Sequence, residues 1–152
     1  MEAQLLDPQI ERKLAAQLFN ATWRLLDKTD RTAQENALMI HCAHASRFHW
    51  EAVGNAMNRA VGEWQVSRVY SVLALGESAL YHARLCMELT EANGLTPFHK
   101  ACAHEGMARA LSLSDKAAAK AHYQAARDLA SSIEDREDRN ILESDLMTID
   151  LN

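Results

Sequence analysis

The chain has 152 residues, 48% of them hydrophobic, and a formal net charge of −5 at pH 7. That length suits one domain with a buried core, and no apolar run approaches the ~20 residues of a membrane span. Residues 1–76 balance eight basic against eight acidic groups while residues 134–152 carry the whole net charge, so there is no basic footprint for nucleic acid or an anionic membrane.

Twenty-six alanines and 19 leucines stand against five valines and five isoleucines, which predicts an all-α fold. The first helix opens at Asp7-Pro8, a capping residue followed by proline at the first helical position, and runs to about Leu26. Its apolar stripe is Leu14, Leu18, Trp23 and Leu26. The second starts at Thr32, where Thr32-x-x-Glu35 reads as a capping box, and ends before Gly54. The third follows Asn55 and ends near Gly76; the fourth covers about 77–92 and stops at Asn93-Gly94. The fifth opens at Thr96-Pro97 and ends near Ser112. Ser114 or Asp115 caps the sixth, which reaches about Ile133. A seventh, about 137–148, places Ile141, Leu142, Leu146 and Ile149 on one side. Its acidity reads as the solvated face of a closing helix.

A longer period runs through these elements. The segments LMIHCAHA, ALYHARLC and AKAHYQAA centre on His41, His82 and His122, spaced 41 and 40 residues apart, and Gly54 and Gly94 also lie 40 apart. Such a period marks stacked helical hairpins, each burying its apolar face on the next. The expectation is one domain over 1–152: hairpins at about 8–53, 55–93 and 96–133, and an acidic capping helix at about 137–148. Small residues such as Ala79, Ala119 and Ala126 are expected where paired helices approach closely.

On the sixth helix, Ala119-x3-Tyr123-x2-Ala126 has the small–aromatic–small spacing of the second helix of a tetratricopeptide repeat. Ala79-x3-Ala83-x2-Cys86 keeps that spacing on the fourth without the aromatic. Leu75-Gly76-Glu77 and Leu113-Ser114-Asp115 are similar to that family's turn between helices. In these segments the chain resembles the tetratricopeptide-repeat family, with a period near 40 in place of ~34. The resemblance implies a superhelix whose first helices line a concave groove that binds peptide segments. HASRFHW (44–50) and GEWQVSRVY (62–70) are also similar to segments of a group of uncharacterised bacterial proteins.

The chemistry-bearing residues point away from catalysis. No Gly-x-Ser-x-Gly and no glycine-rich phosphate loop is present, and His104-Glu105 lacks the second histidine of a zinc-protease motif. Cys42, Cys86 and Cys102 form no Cys-x-x-Cys pair and sit in apolar helix faces, as reduced thiols of a cytoplasmic protein do. The N-terminal MEAQLLDPQIERK has no leader pattern. No cofactor is expected. His41 and His44, with His49, could instead be metal ligands of an enzyme built in a helical bundle, the alternative reading.

The leading expectation is a non-catalytic module that binds a peptide or protein partner, or a second copy of itself, in its groove. Trp64 and Arg68, four residues apart, and Phe98, Glu105 and Arg109 are the expected groove residues. They combine aromatic area with charged anchors. On that reading Arg68 and Arg109 face the groove and contribute little to stability.

Overall fold

The computed structural model describes residues 6–152 as seven helices: α1 (Pro8–Leu26), α2 (Ala33–Val53), α3 (Ala56–Val72), α4 (Gly76–Ala92), α5 (Pro97–Leu111), α6 (Lys116–Ala130) and α7 (Arg136–Met147). Among the described residues there is no strand, and no helix is long and apolar enough to cross a membrane. The start read above as lacking a leader lies, for residues 1–5, outside the described residues.

Local sequence sets the helix ends. Asp7 accepts from the Gln9 amide, and Thr32 with Glu35 closes a reciprocal capping box. Asn55 and Asn58 form a second such box at α3. Thr96 caps α5, and of the two residues expected at α6 it is Asp115 that caps, accepting from the Ala118 amide. α6 ends at Ala130, three residues short of the expected Ile133, which turns into the core with α7. The two glycines spaced 40 apart are not conformational equivalents. Gly94 adopts φ +54 after α4, whereas Gly54 is extended, and the residue that shares the left-handed conformation is Ala74, at φ 58.

α1 packs on α2, α3 on α4 and α5 on α6, so the chain forms three consecutive hairpins with α7 laid against α5 and α6. The core lies between hairpins. Met39 and Ala43 meet Val66 and Val69; Ala79 and Ala83 meet Met107, Ala110, Leu111 and Ala119; Ala101 and Ala126 meet Ile133, Leu142 and Leu146. Each hairpin therefore buries its apolar side on the next. The expected alanines Ala79, Ala119 and Ala126 are all fully buried.

Burial corrects the histidine register. Met39, Ala79 and Ala119 are buried at a constant spacing of 40, as are Ser46, Cys86 and Ala126. On that spacing His82 and His122 align with Cys42. His41 lies one residue off and is exposed.

Candidate functional site

α3 and α5 repeat with a spacing of 41: Ala60, Gly62, Val66, Ser67 and Val69 are buried, and so are Ala101, Ala103, Met107, Ala108 and Ala110. Trp64 and Glu105 share that register, and the two positions touch. The indole N–H of Trp64 donates to Glu105 Oε2 at 2.7 Å. Gly106 makes this approach feasible, since a Cβ there would lie 3.1 Å from Trp64 Cδ1.

Glu105, only 1% exposed, is the centre of a network. Arg109 Nε donates to its Oε1 at 2.7 Å, and Arg68 Nη1 reaches the same oxygen at 3.5 Å. Arg68 also donates to Asp145 Oδ1 at 3.3 Å, and its guanidinium lies over the rings of Trp23 and Trp64. Arg109 Nη2 donates to the Asp145 carbonyl and to Thr148 Oγ1, both at 2.8 Å, tying α5 to the end of α7. Burial lifts the Asp145 carboxyl above its ordinary range, against the pull of Arg68.

Above this network lies a cavity of about 230 Å³. α1 contributes Phe19 and Trp23, α3 Val61 and Trp64, α5 Phe98, His99 and Cys102, and α7 Ile141 and Asp145, with Cys86 and Thr90 of α4 at its base. A shallower lobe of about 210 Å³ shares Phe19, Val61 and His99 and runs on to Trp50 and Met57. The first and last helices thus face each other across one elongated apolar cleft.

The five expected groove residues do meet here, in two different roles. Trp64 and Phe98 line the cavity. Arg68, Glu105 and Arg109 are turned inward beneath it, the two arginine side chains being 13% and 11% exposed. Arg68 and Arg109 are thus largely buried in ion pairs, where the expectation had them facing the groove. α5 is packed by α3, α4, α6 and α7, and Glu105 and Arg109 lie on its packed part. Sequence reasoning missed Phe19, Trp23, Ile141 and Asp145. Ile141, expected on one side of the helix with Leu142, Leu146 and Ile149, is 51% exposed at the cavity edge, while Leu142 and Leu146 are buried.

A second polar cluster sits on the α2–α3–α4 seam. Glu63 accepts from His82 Nδ1 at 2.7 Å and from Arg47 Nε at 2.8 Å. Burial opposes ionisation of Glu63, but the His82 and Arg47 hydrogen bonds and charges outweigh it and hold the carboxyl below its ordinary range. The His82 ring stacks on Tyr70 at 5.7 Å, and His44 Nε2 shares a 2.8 Å hydrogen bond with the Tyr70 hydroxyl. In the third hairpin His104 and His122 share an Nδ1–Nδ1 hydrogen bond of 2.9 Å.

These contacts separate the three residues of the alternative metal reading. His44 points to Tyr70 and His82, His49 pairs with the buried Glu11 of α1, and His41 is exposed. Among the described residues no group of three or more His, Cys, Asp or Glu is placed to hold a metal ion. The thiols are Cys42 and Cys86, both buried, and the half-buried Cys102. Burial raises all three, Cys86 to about 12, which suppresses the reactive thiolate. No family model, curated protein or solved structure matches the chain.

Proposed function

We propose that this chain is a non-catalytic helical-repeat binding module, similar in design to tetratricopeptide-repeat proteins, whose concave cleft receives an apolar side chain from a peptide or protein partner. The observation that carries this reading is the cavity of about 230 Å³ walled by Phe19, Trp23, Trp64 and Phe98. Concave, mostly apolar sites with a few placed polar groups are where proteins take ligands. Buried aromatic pockets concentrate binding energy when a partner side chain fills them. The Glu105 network supports the reading by fixing Trp64 and α7 before any partner arrives, which lowers the ordering cost of binding. The elongated shape, with a second lobe past Val61, suits a chain segment. The alternative enzyme built on His41 and His44 lacks comparable support, because those side chains diverge. Three free cysteines favour a reducing, cytoplasmic setting.

Selection of displayed random peptides against the purified protein tests the reading. Selected peptides should share a large apolar residue and should lose binding to a Val61→Trp variant, in which the added ring fills the cavity. Peptides that bind the variant as well as the parent would overturn it.

A further inference from the structure

The cleft has a charge as well as a shape. Glu105 and Asp145 carry two negative charges, and Arg68 and Arg109 answer both from beneath the cavity floor. A third carboxylate, Asp138, stands one turn before Ile141 on the same face of α7. It is half-buried, acts electrostatically on the cavity-lining His99 and Cys102, and has no cation partner among the described residues. Three carboxylates against two guanidinium groups leave one negative charge at the rim. His99 does not offset it, since burial holds its imidazole below the ordinary value and so neutral near pH 7.

Geometry says where a compensating cation would sit. Asp138 and Asp145 are seven residues apart, about 10 Å along α7, with the exposed Ile141 between them. That span is covered by about three residues of extended chain. A residue that places its apolar side chain past Ile141 therefore has its neighbours beside one carboxylate or the other. The wider surface of α7 agrees, since residues 134–152 hold seven acidic groups against Arg136 and Arg139.

We propose that the cleft selects a peptide segment in which a large apolar side chain is flanked by lysine or arginine, the apolar group entering the cavity and the cation meeting the carboxylates of Asp138 and Asp145. This rests on the binding reading above. It assigns α7 the role of an acidic recognition wall in addition to that of a closing helix.

Trp23 and Trp64 line the cavity, so tryptophan emission reports its occupancy. Three short blocked peptides, each with one leucine flanked by lysine, by serine or by glutamate, are titrated at low salt. The lysine peptide should bind about tenfold more tightly than the glutamate peptide, the serine peptide lying between. Asp138→Asn should remove most of that difference, with unaltered thermal unfolding showing the fold intact. Equal affinities for the three peptides, or a preference for glutamate, would overturn the charge rule while leaving the cleft reading in place. Failure of all three to bind would remove both. A simple alkylammonium ion binding as tightly as the lysine peptide would replace the peptide with a small apolar cation.

Discussion

Among the described residues, two of the buried glutamates keep opposite company. Glu105, under the cleft, is held by Arg109, Arg68 and the Trp64 indole, none of which changes charge in the physiological range. Glu63, on the outer seam, is held by Arg47 and by His82, and the cluster continues into His44 and Tyr70. The same side chain thus makes a permanent floor on one side and a titratable seam on the other. A site meant to be ready for a partner benefits from the first arrangement, because its shape does not depend on pH.

The largest effect separating the two regions is expected from their removal. Glu105→Ala would take the shared carboxylate from two nearly buried arginines, leaving Arg109 only neutral acceptors and Arg68 only Asp145, and breaking a buried pair in this way costs about 3–5 kcal/mol. Glu63→Ala should cost less, because Arg47 keeps a 2.8 Å bond to Glu51 and reaches solvent. Urea unfolding of both variants checks the order, and a larger loss for Glu63→Ala would reverse the roles assigned here.

The seams should in turn be the less tolerant of added volume. Ala119 is fully buried beside Ala79 and Met107, so Ala119→Leu should overpack the contact and cost about 1–3 kcal/mol. An unchanged unfolding midpoint would mean that the helices there can separate.

Acid should weaken the seams selectively. Burial lowers His44, His104 and His122 below the ordinary histidine value, with His82 adding to it for His44 and His122 for His104. The unfolded chain takes up these protons near pH 6.5, before the folded chain does. Stability contributed by the neutral rings is thus complete above about pH 6.5 and falls as the pH drops through the lower folded values. The Glu63 carboxyl, held down in the fold, adds a second loss in the same direction below about pH 4.3. Unfolding midpoints measured from pH 8 to pH 5 should decline, and a double variant with His104→Gln and His122→Gln should decline less. Equal slopes would show that the His104–His122 pair carries no pH dependence.

The smallest change expected concerns the α3–α4 turn that joins the two regions. Ala74 sits at φ 58, where a Cβ costs energy that glycine avoids, so Ala74→Gly should gain up to about 1 kcal/mol. A loss of thermal stability would show the turn to be unstrained.

Much of this was legible in the residues. Asp7-Pro8, Thr32-x-x-Glu35 and Thr96-Pro97 marked helix starts because capping is local chemistry, and all three cap as read. Trp64–Arg68 and Glu105–Arg109 were legible as pairs because four residues make one turn. Their union was not, although the spacing of 41 between Trp64 and Glu105 equals the repeat spacing of α3 and α5 and could have exposed it. The same spacing relates Glu63 to His104, just as 40 relates their partners His82 and His122, a signal hidden by aligning His41 in place of Cys42. The walls from α1 and α7 had no local signature. They meet across the cleft only because of how the hairpins stack, and no short segment encodes that.

The cleft between α1 and α7, and not the histidine seam, is the surface proposed to bind the peptide. Two-dimensional NMR spectra recorded while the lysine-flanked peptide is added distinguish the two surfaces. Shifts are expected at the indole N–H groups of Trp23 and Trp64 and at the amides of Phe98 and Ile141, with the His44 and His82 rings unmoved. Shifts concentrated at His44, Tyr70 and His82 with a silent cleft would contradict it.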